Sequence, residues 1–293
     1  MSAAKIAGAP ISWGVSEVPG WGHQLSPDRV LREMGDAGLE ATELGPEGFL
    51  PADATELTTL LGSFDLTCVG GFAPVVLHEA THDPVADVSR AVDSLNACGA
   101  EVLVIAAATG ADGYDARPAL ETTQWAILFA NLDRVADVAA RRGLRAVLHP
   151  HVGTMVETRA DVERVLGGSS IPLCLDTGHL LIGGTDPVEL ARAAPHRVAH
   201  AHLKDVDVAL AARVRSGELS YTQAVAQGIY TPLGQGDAGI AEIVSTLRYN
   251  DFDGWFVLEQ DTILDAGQAG EGPLRDVNAS VAYLRSLLDR VPA

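Results

Sequence analysis

Apolar residues along this chain fall into short runs, separated by longer stretches in which they recur every three or four positions. The runs at 5–12, 39–44, 65–72, 101–107, 144–149, 171–176, 197–203 and 254–259 have the length of buried parallel strands. The stretches at 26–37, 53–63, 83–98, 118–142, 159–166, 186–194, 240–249 and 276–290 read as helices. Ser26 is a good N-cap, Pro27 suits a first helical turn, and Gly38 closes that helix. Gly38, Gly99 and Gly143 sit between helix ends and the strands that follow, where αβ turns belong. Eight alternations of strand and helix with short connections predict an α/β fold, a (β/α)8 barrel, as one domain over 1–293. Residues 206–239, between the seventh strand and its helix, are too long for a plain connection. They contain ALAARVRSGELSYTQAVAQG, which reads as two short helices, then TPLGQGDAG. This insertion leaves the C-terminal end of a strand, so it is expected near the active-site mouth.

Barrel active sites are built at the C-terminal ends of the strands. By period-two alternation, Cys174 and Asp176 share one face of the sixth strand, opposite Leu173 and Leu175. In the seventh, Val198, His200 and His202 share a face; in the fifth, Arg145, Val147 and His149; in the eighth, Trp255, Val257 and Glu259. Four neighbouring strands thus each offer a metal-ligand type in one layer: His149, Asp176, His202 and Glu259. Any of them alone reads more simply as a hydrogen-bonded residue; four in register point to a metal. Mixed imidazole and carboxylate donors suit Mn²⁺, Co²⁺, Fe²⁺ or Zn²⁺, and Mg²⁺ less well. His151 is the substitute if His149 points elsewhere. His200 lies one layer deeper, in a supporting or core role. Substrate contacts are expected from Trp13, Glu43, His151, His179 and Lys204. For Trp13 the alternative is plain packing, for His179 a place in the first turn of a helix. Lys204 reaches the substrate if its strand has ended and forms a surface ion pair if it has not.

Composition narrows the partners. Lys and Arg total 20 against 39 Asp and Glu, a net charge of −19. Such a surface repels nucleic acid and anionic membranes and favours a small neutral polyol or keto-sugar. No apolar run approaches the roughly 18 residues of a membrane span, and the start, MSAAKIAGAPIS, has no long apolar core of a secretory signal. Cys68, Cys98 and Cys174 are odd in number and widely spaced, as expected of buried thiols in a reducing cytoplasm. Assembly into a homo-oligomer stays open. TPLGQGDAG lacks the spacing of a phosphate loop, and neither a GxSxG elbow nor a dinucleotide fingerprint is present.

LCLDTGH, HAHLKDV and the late LEQD resemble the xylose isomerase-like TIM-barrel superfamily of sugar isomerases and epimerases. Within it the likeness is greatest to the inosose (2-keto-myo-inositol) dehydratases of inositol catabolism. It extends through GAPISWG, AGLEATELGPEGFLP, HPHVGTMVET and the insertion RVRSGELSYTQAVAQGIYTPLGQGD, its most specific part. The resemblance implies a divalent metal, Mn²⁺ or Co²⁺ foremost, on His149, Asp176, His202 and Glu259. It also implies metal-dependent loss of water from a cyclic polyhydroxy ketone, with His149 and Glu259 as proton-transfer groups. Most epimerases and isomerases of the superfamily carry glutamate where this chain has His149. The segment WGVSEVPGWGHQL also departs from the dehydratase pattern, in a place expected to line the substrate pocket. A keto-sugar isomerase or epimerase is the alternative, and a non-catalytic sugar-binding barrel a further one.

Overall fold

The computed structural model describes residues 5–265 and 272–289, so the end of the helix predicted over 276–290 lies outside the described residues, as do the first residues of the chain. Eight parallel strands close a barrel: β1 (Lys5–Gly8), β2 (Ala41–Glu43), β3 (Thr67–Val76), β4 (Val102–Ala108), β5 (Arg145–Leu148), β6 (Leu173–Asp176), β7 (Val198–Leu203) and, numbered past the insertion's two, β10 (Trp255–Leu258). Order follows sequence around the barrel, and β1 meets β10 to close it, with Ala7 opposite Val257. Helices α1 (Pro27–Asp36), α2 (Ala54–Gly62), α3 (Pro84–Ala97), α4 (Thr122–Arg141), α5 (Arg159–Gly168), α6 (Thr177–Ile182) and α7 (Pro187–Ala193) fill the connections up to β7. The insertion carries β8 (Asp205–Val206), α8 (Val208–Arg215), α9 (Tyr221–Ala226) and β9 (Tyr230–Thr231); α10 (Ile240–Tyr249) and α11 (Leu274–Leu288) complete the ring. No helix among the described residues is long and apolar enough to cross a membrane.

Strand alternation sorts the core. Leu103, Ile105, Leu148, Leu173, Leu175 and Leu203 point outward into the large cluster shared with the helices. On the opposite face, Val102, Val104, Val147 and Cys174 form a separate cluster inside the barrel, and Ala7, Ala41, Val69 and Val257 another. The interior is thus packed with small and branched side chains below the layer of polar strand ends.

Some element boundaries differ from the sequence expectation for local reasons. The first strand stops at Gly8 because Pro10 opens a 3-10 turn, Pro10–Trp13, closed by Gly14 at φ 75°. The strand pattern of LCLDTGH gives way to α6 at once, because Asp176 caps it, accepting from the N–H groups of Gly178 and His179 at 2.9 and 2.7 Å. The insertion adds a hairpin to its two helices: β8 pairs antiparallel with β9, and Asp205 pins the return by accepting from the backbone of Gly234 and Ala238. It also has its own apolar cluster, in which Val206, Tyr221, Val225 and Tyr230 pack with Trp21 and Val152 of the barrel loops.

Candidate active site

The register of β6 and β7 sets Asp176 directly beside His202, and that of β7 and β10 sets His202 beside Val257, two residues before Glu259. A line of contacts results. His149 Nε2 is hydrogen-bonded to Asp176 Oδ2 at 3.1 Å. His202 Nδ1 lies 3.7 Å from the same Oδ2 and 3.1 Å from Glu259 Oε2. The ligand atoms of Asp176, His202 and Glu259 all fall within 4.8 Å of one another, as do those of His149, Asp176 and His179. Asp176 belongs to both groups, and no such group holds all four predicted ligands.

The fit to a cation can be tested on charge and on hydrogen bonds. Glu43, Asp176, Glu259 and Asp261 are four buried carboxylates, and the buried ammonium among them is Lys204. Buried charge must be paired or bind metal, and this set has an excess of negative charge. The Nδ1 atoms of His149 and His202 are buried and make no hydrogen bond. His202 Nδ1 therefore approaches Glu259 without donating to it. A cluster of acids around an unengaged imidazole nitrogen is what a divalent cation requires, so the residues fit one.

Lys204 is not on the outer face. β7 ends at Leu203, Thr177 Oγ1 takes the Lys204 N–H at 2.8 Å, and the side chain turns into the site. Its Nζ contacts Asp261 Oδ1 closely and lies 2.8 Å from Glu259 Oε2 and 3.7 Å from Asp176 Oδ2. Asp261 in turn accepts from the Tyr221 hydroxyl at 2.5 Å, and Tyr221 meets Tyr230 at 3.0 Å. Both tyrosines come from the insertion.

A cavity of about 740 Å³ opens above this floor; Glu43, His149, His151, His202, Lys204, Glu259 and Asp261 line it. The segment at 13–25 supplies Val15, Glu17, Val18 and Trp21 to the wall, a loop supplies Tyr114, and the start of α9 supplies Tyr221. Trp13 does not contribute. It is buried in the large cluster shared with the helices, and its indole N–H donates to Glu33 Oε2 of α1 at 2.7 Å, because the 3-10 turn rotates it away from the mouth. His179 is also outside the wall. Its backbone helps hold Asp176, while its ring stacks behind His151 with centroids 3.6 Å apart. Glu43 reaches the cavity, but its Oε1 is taken by His200 Nε2 at 2.8 Å and His202 Nε2 at 3.1 Å. Tyr114 and Tyr221 carry no periodic signal, and the length of the insertion is the only hint of Tyr221; Asp261 falls on the face of Glu259 by alternation.

Burial alone would raise the carboxyls of Glu43, Asp176 and Glu259. Nearby charges and hydrogen bonds win instead. His202 and Lys204 bring Glu259 down to about 2, Lys204 beside it foremost holds Asp176 well below the usual range, and His202, with hydrogen bonds from His200 and His202, holds down Glu43. Burial raises Asp261 despite Lys204 beside it. Burial also pushes His149 down, and it pushes His151 down to about 3 with help from His149 and Lys204. His202 goes the other way: burial opposes its charge, but Cys174, Glu259 and Glu43 favour it and raise it well above an ordinary imidazole.

Residues 29–287 match the model of the xylose isomerase-like TIM barrel family. The chain belongs to that family. An inosose dehydratase of Geobacillus kaustophilus is 30% identical over 270 residues, covering 88% of this chain and 87% of the relative. One from Geobacillus thermodenitrificans is 29% identical over 268 residues, with 88% and 89% covered. The protein is accordingly an enzyme of the hydro-lyase class. Solved structures share the fold at low identity. A probable 3-DHS dehydratase of Bacillus anthracis has a TM-score of 0.70 at 17% identity, covering 96% of this chain and 98% of its own. The IolI protein, solved with a zinc atom, has 0.71 at 12%, covering 97% and 98%. An L-ribulose 3-epimerase has 0.70 at 17%, covering 98% and 95%.

Proposed function

We propose that the enzyme removes water from a cyclic polyhydroxy ketone of the inosose kind, 2-keto-myo-inositol foremost, with a divalent cation held by His149, Asp176, His202 and Glu259. The names of the relatives support the substrate class, and the acidic, imidazole-lined floor supports the cation. A cation there, Mn²⁺ or Co²⁺ in this reading, would polarise the ketone oxygen as a Lewis acid.

Elimination requires a group that accepts the α-proton and a group that donates to the departing β-hydroxyl. The observation that carries the proposal is that one cavity holds both. His151 Nδ1 lies 2.7 Å from the carbonyl of Val152, which can only accept, so the neutral ring keeps its proton on Nδ1 and offers Nε2 to accept from a substrate hydroxyl, while proton transfer is assigned to His149 and Glu259 in the same wall. His149 and His202 are the other imidazoles in the wall. Lys204 has three N–H bonds; Asp261 and Glu259 engage two, and one remains for a substrate oxygen. The α C–H pair becomes the enol double bond, the β C–O bond breaks, and the hydroxyl leaves as water, with no change of oxidation state overall. Tyr221, Trp21 and Tyr114 wall the ring from bulk solvent. Glu17 accepts from Tyr114 at 2.5 Å, and Asp115 accepts from the Thr222 backbone at 3.0 Å, tying the roof loops together.

The test is proton NMR in heavy water with Mn²⁺ or Co²⁺, offering 2-keto-myo-inositol beside ketohexose controls. The inosose should be converted to an enolised dione, and a chelator should stop it. An intact inosose beside an interconverted ketohexose overturns the proposal in favour of an epimerase or isomerase.

A further inference from the structure

We infer that Glu43 is a positioning residue that fixes which nitrogen of His202 faces the cation. This rests on the metal reading above and adds to it a residue from the far side of the barrel. β2 and β7 are not neighbours in the sheet, yet Glu43 Oε1 reaches across the interior to His202 Nε2 at 3.1 Å and His200 Nε2 at 2.8 Å. A carboxylate offers only acceptors, so both ring nitrogens must present N–H to it. For His202 that leaves Nδ1 to ligate, and Nδ1 is the atom lying 3.1 Å from Glu259 Oε2 and 3.7 Å from Asp176 Oδ2 with no hydrogen bond of its own. All of these groups are buried, so water does not compete for the Nε2 proton. A carboxylate behind a ligating imidazole sets its tautomer, sets its ring plane and raises its basicity. Here one oxygen orients two histidines at once, and His200 braces the carboxylate from one layer deeper.

The experiment reads cation binding rather than turnover. Cation affinity is measured by chelator competition with Co²⁺ and Zn²⁺ for the wild type, Glu43→Ala and Glu43→Gln. The alanine variant is expected to lose about 10–100-fold in affinity, the usual effect of removing such a partner. The glutamine variant should recover most of it, because its carbonyl oxygen can accept from both histidines. Equal loss in both variants, or no loss in either, overturns the inference. Should the alanine variant not fold, nitrogen-15 NMR of the zinc-loaded wild type decides. His202 should carry metal on Nδ1 and a proton on Nε2, and the reverse assignment overturns the inference. A wild type that takes up no cation overturns the metal reading itself, and shows it before any variant is compared.

Discussion

Replacing Tyr221 with phenylalanine removes one oxygen and keeps the ring. That oxygen donates to Asp261 Oδ2 at 2.5 Å and meets Tyr230 at 3.0 Å. The side chain is buried, so water does not readily take its place. A hydrogen bond to a charged group contributes about 1.5–3 kcal/mol, and a loss of about 2 kcal/mol is expected. The other polar tie described for this helix, Thr222 to Asp115, is exposed and contributes less. The loss therefore falls on local opening of the insertion rather than on the barrel. At tenfold per about 1.4 kcal/mol, the open population should rise roughly 30-fold. Amide exchange followed by mass spectrometry should show that increase across residues 221–231 and unchanged protection in β4. Turnover should fall as well, because Asp261 loses the donor that holds it against Lys204. Exchange at the wild-type rate would refute the tether. Faster exchange with full turnover would refute its link to Lys204.

Four other outcomes are expected. Asp176→Asn keeps an oxygen to cap α6 and should melt near the wild type, whereas Asp176→Ala should lose about 0.5–2 kcal/mol with the cap; both should lose the cation, measured by thermal melting and metal analysis. Trp13→Phe should cost about 2–4 kcal/mol through the lost bond to the Glu33 carboxylate and the space left by a fully buried indole, and leave KM unchanged, whereas Trp21→Ala should raise KM; steady-state kinetics of both checks which tryptophan lines the site. A Cβ at Gly183 would sit 2.2 Å from the Glu157 carbonyl oxygen, a clash between two main-chain segments, so Gly183→Ala should destabilise by about 1–3 kcal/mol or more in chemical denaturation. Dialysis against a chelator should abolish dehydration, and added Mn²⁺ or Co²⁺ should restore it in a coupled assay.

The barrel was legible because each strand and helix carries its own period, and the layer of His149, Asp176, His202 and Glu259 because period-two alternation survives to the strand ends. Legibility stopped where the chain left a regular element. Lys204 follows His202 by two residues, so alternation alone puts it on the same inward face; the expectation that a continuing strand would turn it outward misapplied the period. Trp13 and Trp21 look alike in sequence; the turn after Pro10 buries the first and leaves the second facing the cavity. Glu43 was visible as a strand end, but its partners lie 157 and 159 residues away, and only closure of the barrel brings them together. Tyr114 and Tyr221 sit on irregular or inserted segments whose paths depend on each other.

Closure also sets a timetable. The first strand hydrogen-bonds to the last, and Glu259 emerges just beyond that last strand. During synthesis, His149 and Asp176 leave the ribosome while roughly a hundred residues are still missing. At about 5–20 residues per second, the histidines and acids wait on the order of 5–20 s for Glu259. Over that interval β1 and β7 each lack a neighbour, and the nascent chain can offer a cation only a partial and mobile set of donors. On the metal reading proposed above, high-affinity loading waits for Glu259, and a ribosome-stalled chain ending before residue 255 should not retain the cation.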